Sequence, residues 1–228
     1  MSVEKAIIVG AGHGLSASLA RLLSKSGFDL VLASRNVEKN YKLAKETNAI
    51  LEECDVTSIQ QVENFFKKAD DILGIPDLVI FNPSARVRGA VEELDMHAAK
   101  KAIEVSTIGA LSVAKEAATR MLPRGSGSIF FTGASASVKG FANSSVFAVG
   151  KFGLRGLAQS LARELHPKNI HIGHFIVDGQ ICPPFDTNNE LDSKLISDEI
   201  ANAYLQMHRQ HRSAWSWEIE LRPWVERF

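Results

Sequence analysis

Residues 5–23 read KAIIVGAGHGLSASLARLL, and their order decides the fold. The apolar run from Ala6 to Val9 is too short to span a membrane and suits a strand covered on both faces. Gly10, Gly12 and Gly14 follow at once. Glycine has no Cβ to block a turning chain or a diphosphate lying against it, and the unpaired N–H groups at the start of the next helix favour an anion. Leu15, Leu19, Leu22 and Leu23 then give that helix one apolar stripe. Strand, glycine turn and helix in this order predict a cradle for a dinucleotide. The fingerprint Gly-x-Gly-x-x-Gly does not apply, because its third glycine would fall at Leu15. Without its flanking strand and helix, such a loop reads equally well as a plain turn.

Outward from this unit, strand and helix keep alternating. Apolar runs at Asp29 to Ala33, Ala49 to Glu53, Asp77 to Phe81, Gly127 to Thr132 and Ile170 to Val177 are separated by stretches of helical period. Ile59, Val62, Phe65, Phe66, Ala69, Ile72 and Leu73 line one helical face that stops at Gly74 and Pro76. Longer helical patterns cover Met96 to Met121 and Ser145 to Leu165, and a helix around Leu195 to His208 precedes a last strand, Trp217 to Leu221. Right-handed crossovers place successive helices on opposite faces of one parallel sheet, with ligands at the strands' carboxyl ends. The expected fold is α/β: one doubly wound Rossmann domain over residues 1–228, with a mostly parallel seven-stranded sheet and helices on both faces.

With 228 residues the chain can bury one sizeable core, so no separate substrate domain is expected. The 26 basic and 26 acidic residues cancel, which favours small-molecule partners over nucleic acid or an anionic membrane surface. Cys54 and Cys182 have neither metal-ligand spacing nor the density of a disulfide scaffold. With no signal-like or transmembrane apolar run, a cytoplasmic setting is expected.

The spacing Gly10-x-x-x-Gly14-x-Ser16 resembles the Gly-x-x-x-Gly-x-Gly pattern of short-chain dehydrogenases/reductases, with serine in the last place. Residues 125–165, GSGSIFFTGASASVKGFANSSVFAVGKFGLRGLAQSLAREL, are similar to that family's catalytic stretch, and the element order extends the resemblance over nearly the whole chain. The resemblance implies an NAD(P)-binding oxidoreductase. Gly10, Gly12, His13, Gly14 and Leu15 would cradle the diphosphate. Asp55 and Val56 match the family's adenine-edge contact, Asn82 begins its Asn-x-Ala-Gly motif, continued here as Pro83-Ser84-Ala85, and Gly179 follows Asp178 where Pro-Gly is usual beside the nicotinamide carboxamide. After the second strand, Ser34 and Arg35 stand where dinucleotide folds read the adenosine ribose. An acid there binds the ribose hydroxyls of NAD, whereas the arginine fork pairs with a 2′-phosphate. NADP(H) is therefore the expected cofactor, with NAD(H) the alternative; Ser34 and His13 would add donors. Arg35 also reads as a solvated loop charge.

In the family a tyrosine four residues before a lysine moves a proton to or from the substrate oxygen, helped by a serine thirteen residues before the tyrosine. An asparagine from the long preceding helix supports a proton relay. The lysine matches at Lys151, but the tyrosine position is Phe147, the serine position Ala134 and the asparagine position Ser106. Phenylalanine has no ionisable proton and alanine no hydroxyl. A general acid or base supplies roughly 10²–10⁴ in rate and an oxyanion donor roughly 10²–10³, so the family's usual tyrosine mechanism cannot run here unchanged. Hydride transfer belongs to the nicotinamide, so binding can survive without the phenol.

Tyr41 and Tyr204 are the chain's two tyrosines, and Tyr41 should lie on the adenosine side. The family's substrate lid corresponds to about residues 179–213, so Tyr204 could bring a proton donor over the site; packing or solvation is the plainer reading. Ser135, Ser137, Ser144 and Ser145 surround the expected pocket, with helix capping the stronger reading for the last two. His166, His171 and His174, and His208 with His211, lack the three or four convergent ligands of a zinc site, so no metal is expected. Trp215, Trp217 and Trp224 suit packing of the closing strand or a subunit contact, and the resemblance implies a homodimer or homotetramer. Two functions remain open: an oxidoreductase of unknown substrate with an altered catalytic centre, or a non-catalytic NADP(H)-binding sensor or partner subunit. A different enzyme class on this fold is the weaker third.

Overall fold

The computed structural model describes residues 3–183 and 192–226. β1 (Lys5–Val9), α1 (Leu15–Lys25) and β2 (Asp29–Ser34) form the first right-handed unit, and α2 (Tyr41–Thr47) leads to β3 (Ile50–Glu53). α3 (Ile59–Leu73) carries the expected apolar stripe, capped by Ser58, whose hydroxyl accepts from Gln61 N–H at 3.3 Å. After β4 (Leu78–Phe81) come α4 (Met96–Ser106), α5 (Ile108–Arg124), β5 (Gly127–Thr132), α6 (Ser145–Leu165) and β6 (Ile170–Val177). The short strands β7 (Ile181–Cys182) and β8 (Leu195–Ile196) pair with each other, and α7 (Ser197–His208) precedes β9 (Glu218–Leu221).

The main sheet runs β3-β2-β1-β4-β5-β6-β9 with every pairing parallel, the doubly wound architecture expected from the alternation. Successive strand residues point to opposite faces. Ile7, Val9, Val79, Phe81, Ile129 and Phe131 therefore enter one apolar layer with α3, α5 and α6, while Ala6, Ile8, Leu78, Ile80 and Phe130 enter the other with α1 and α7. Central strands are buried on both faces, which is why they read as continuous apolar runs.

The helical pattern read from Met96 to Met121 is two helices. Thr107 leaves helical geometry at φ −111° and ψ −74°, and its hydroxyl donates to the Ile103 carbonyl at 2.8 Å. The α4 residues Ala99 and Ala102 pack in a small cluster with Val146 of α6, while Ala110, Val113 and Ala117 of α5 enter the sheet layer; helical spacing has the same period on both sides, so the sequence pattern does not register the break. α5 runs on to Arg124 and ends at Gly125, whose φ of +68° suits the left-handed stop.

Candidate active site

The glycine turn is held by three neighbours. Gly10 and Ala11 N–H groups both donate to the Ala33 carbonyl at 2.9 Å, and Asn82 N–H donates to the Val9 carbonyl at 3.0 Å. Ser16, in the place of the resemblance's last glycine, donates through its hydroxyl to the Gly10 carbonyl at 2.9 Å and accepts from Asn82 Nδ2 at 2.6 Å. That serine thus ties the turn to the loop after β4. Gly10 has φ +83°, and a Cβ there would stand 2.7 Å from Pro83 N. A Cβ at Gly12 or Gly14 would meet nothing within 4 Å. Gly14 also caps α1 without a side-chain bond, leaving the helix entrance open.

Gly10, Gly12 and His13 line a cleft of about 630 Å³ with Ser34, Arg35, Asp55, Val56 and Asn82. The structure brings these expected residues together and adds Lys39, Asn40 and Lys101 to the same wall. Asn40 is buried; its amide donates to Ala11 O at 3.3 Å and Ser34 Oγ at 3.0 Å, leaving Oδ1 without a protein partner. The Ser34 hydroxyl donates to the Asn36 carbonyl at 3.0 Å, so this side chain braces its own loop rather than offering a free donor. Asp55 accepts from Thr57 N–H at 3.0 Å and its hydroxyl at 2.8 Å. Burial opposes ionisation of Asp55, but the Thr57 bonds, Arg35 and Lys101 outweigh it and hold the carboxyl below the usual range. Val56 packs against Gly109, where a Cβ would lie 2.9 Å from Val56 Cγ2; the glycine lets α5 approach the cleft floor.

A second cavity of about 500 Å³ adjoins the first and is lined by Leu15, Asn82, Arg86, Thr132, Ala134, Phe147, Lys151 and Gly179 among others. Lys151, only 2% exposed, donates from Nζ to the Thr132 carbonyl at 2.7 Å. Burial, reinforced by the Arg86 charge, pushes its ammonium down to about 7. The Arg86 guanidinium lies over the Phe147 ring, 4.1 Å from its centroid, and Lys151 Nζ is 5.9 Å from the same centroid. Ala134, Ala136 and Phe147 form a small apolar cluster. Ala134 N–H donates to Ser137 Oγ at 3.1 Å, which spends the hydroxyl's acceptor on the loop backbone. Gly179 has φ +152°, and a Cβ there would meet Pro223 Cδ at 2.8 Å. Asp178 beside it is buried against Lys139 Nζ at 2.9 Å and Arg222 Nη2 at 3.2 Å.

Two expected site residues lie elsewhere. Ser106 is buried where α4 meets α6, at a point where a Cβ on Gly150 would stand 3.1 Å from Ser106 Cβ, and it does not line the cavity. Tyr204 is 0% exposed: α7 packs on α1 within the second apolar layer instead of over the mouth of the site. Its ring stacks on Phe175, and its hydroxyl lies 2.8 Å from Thr132 Oγ1. Burial raises the phenol above its ordinary range, so it holds its proton and stands behind the cavity wall. Part of the expected lid, residues 184–191, lies outside the described residues. His208 bonds Ser128 Oγ at 2.8 Å and Glu4 Oε1 at 3.1 Å, while His211 bonds Ser213. Among the described residues no three His, Cys, Asp or Glu side chains converge on a metal position, and no helix is long and apolar enough to cross a membrane.

Residues 4–189 match the family model for short chain dehydrogenase. The chain belongs to the short-chain dehydrogenase family. It is 33% identical to a short-chain dehydrogenase from Rhodopseudomonas palustris whose structure it matches with a TM-score of 0.84, covering 97% of this chain and 99% of that one. It is 27% identical over 227 residues to an uncharacterized oxidoreductase of Staphylococcus aureus, with 96% of each covered. It is 28% identical to the 3-dehydrosphinganine reductase of Danio rerio over 84% of this chain, and spans 62% of that protein's length. As a family member the chain is grouped with oxidoreductases.

Four residues of this short-chain dehydrogenase escaped the sequence reading: Lys39, Asn40, Arg86 and Lys101. Lys101 shares one α4 face with Ala98, Ala102 and Val105, a helical spacing visible in the sequence. Lys39 and Asn40 follow the Arg35 loop, and Arg86 follows the Asn82 motif directly. Position after a motif was the available signal; the direction of each side chain was not.

Proposed function

We propose that this short-chain dehydrogenase is an NADP(H)-dependent oxidoreductase whose catalytic centre works without the family's tyrosine and serine. The observation that carries the reading is the placement of Lys151 in a cavity that shares Asn82, Ser84 and Arg86 with the cleft under the glycine turn, its ammonium anchored at 2.7 Å on the Thr132 carbonyl. The cleft fits the cofactor by its own chemistry. Gly12 and Gly14 leave open the space that a Cβ would take, and Asn40 Oδ1 is a buried acceptor still lacking a partner.

Gly10, Gly12, Gly14 and Leu15 would hold the diphosphate against the entrance of α1. Arg35, Lys39 and His13 would take a 2′-phosphate at the end of β2, where the sequence Ser34-Arg35-Asn36 puts no acid at the ribose-reading position. Asp55 and Val56 would meet the adenine, while Asn82, Lys151 and Gly179 would hold the nicotinamide half. When bound, the nicotinamide supplies or accepts a hydride. Lys151 orients the adjoining ribose; Phe147 and Ala134 cannot give a proton, so a lid residue or water would supply it. The reading includes a reducing cytoplasmic setting, in keeping with two free buried cysteines, and a homodimer or homotetramer. Phe147 and Ala134 specifically favour the second reading, a binding-only sensor or partner subunit.

The test measures NADPH and NADH binding by fluorescence, then NADPH oxidation with a carbonyl panel for the native chain and for Phe147→Tyr with Ala134→Ser. Tighter NADPH binding with turnover by the native chain supports the enzyme. Tight binding with turnover only in the double variant supports the sensor, and failure to bind either nucleotide refutes both.

A further inference from the structure

The cavity beside Lys151 carries an electrostatic imbalance. Its described lining includes two cations, Arg86 and Lys151, and no carboxylate. Among the described residues no carboxylate lies within ion-pair distance of either one. Lys151 has only a neutral carbonyl for its ammonium, and Arg86 has the Phe147 ring face. The desolvation of Arg86 and its repulsion by Arg88 both disfavour its charge, which an arriving anion would reverse. Over the ring, the guanidinium makes no hydrogen bond among the described residues, so its planar fork keeps donors that can grip a carboxylate through two parallel bonds.

We propose that this cavity takes a small carbonyl compound bearing a carboxylate, an oxo acid, with Arg86 as the residue that holds the carboxylate. The proposal rests on the oxidoreductase reading and names its substrate class. Leu15, Ala134, Phe147, Val177 and Ile181 give apolar wall that suits a short carbon skeleton, beside the uncharged polar Asn82, Ser84, Thr132 and Gln180. A volume of about 500 Å³ admits a small acid. Phe147 then has a use of its own: the ring that cannot move a proton fixes the cation that binds the substrate. Arg86 also borders the larger cleft, so the competing assignment is a contact with the cofactor's diphosphate.

The experiment titrates pyruvate, acetoacetate and phenylglyoxylate, each against its methyl ester, into the chain by calorimetry with and without NADP⁺. NADPH binding is measured separately by fluorescence. The same is done for Arg86→Gln and Arg86→Lys, whose melting temperatures should match the native chain because Arg86 is solvent-exposed. At least one acid should bind roughly tenfold or more tightly than its ester, and Arg86→Gln should abolish that difference while leaving NADPH affinity within about twofold. Arg86→Lys should recover only part, since it keeps the charge and loses the fork. Esters binding as well as acids overturn the proposal, as does the absence of binding by any acid. An Arg86→Gln loss that falls on NADPH instead also overturns it and returns Arg86 to the cofactor. NADPH failing to bind while an acid still distinguishes Arg86 from Gln would sink the oxidoreductase reading and keep the anion site.

Discussion

The Tyr204 hydroxyl lies 2.8 Å from Thr132 Oγ1, while the carbonyl of the same threonine receives the Lys151 ammonium. Thr132 ends β5 and so links the α7 layer to the cavity through its two polar ends. Tyr204→Phe removes one buried hydroxyl and leaves the stacking on Phe175. The expected loss is about 1 kcal/mol in chemical denaturation, with NADPH affinity and any turnover changed less than about threefold. Loss of turnover alone, with stability intact, would show instead that the phenol reaches the reaction.

Lys151 gives a pH signature. Its folded value of about 7 lies below the ordinary 10.5, so the folded chain resists the proton that the unfolded chain binds freely between those values. Stability should therefore rise with pH across that window, the penalty being full below about 7. Lys151→Met, which has no charge to bury, should be more stable than the native chain near pH 6, by about 1–3 kcal/mol. That advantage should shrink towards pH 10. Melting temperatures of both chains across this range check it, and an advantage that grows with pH would contradict the burial argument.

Gly10 and Gly12 should fail differently. Gly10→Ala puts a Cβ on a residue at φ +83° and within 2.7 Å of Pro83 N, so a loss of about 1–3 kcal/mol of stability is expected. Gly12→Ala meets open space, so the fold should keep its melting temperature. NADPH affinity should nevertheless fall by roughly tenfold or more, because the new methyl occupies the cradle. Denaturation and fluorescence titration, run on the same two variants, separate the effects.

Glu218 on β9 pairs with Arg155 Nε at 2.7 Å and with His174 Nδ1 at 3.0 Å. His174 is pushed down to about 4 by burial, despite Glu218, so above that pH it is a neutral donor to the carboxylate. Burial alone would raise the Glu218 carboxyl, but Arg155 and His174 hold it below 4.5. Its contribution is thus fully present above 4.5 and lost as pH falls through the depressed value. Glu218→Gln should cost about 1–3 kcal/mol at pH 7 in denaturant unfolding, with the difference from the native chain closing in acid. A constant difference down to pH 3 would refute the coupling.

Short-range physics made much of this protein readable. The run from Ala6 to Val9 is apolar at every position because both faces are covered, and Gly10 follows because Pro83 and a positive φ leave no room for a side chain. The stripe of α3 from Val62 to Leu73 likewise shows its buried face by spacing alone. The break at Thr107 was not legible, since apolar spacing keeps one helical period on both sides of it although α4 packs in a small cluster with Val146 and α5 in the sheet layer. Tyr204 misled for a related reason: its chain position suggested a lid, but helical spacing says which residues share a face and not what that face covers.

The sequence by itself determined the alternation of elements, the glycine cradle, the retained lysine and the absence of a hydroxyl at positions 134 and 147, because these are properties of residue type and near neighbours. Only the tertiary structure decided that Arg86 stacks on Phe147, that Lys39, Asn40 and Lys101 join the cleft, and that Tyr204 turns into the core. Those contacts join residues far apart in the chain. Their directions follow from how helices settle on the twisted sheet, which no local pattern records.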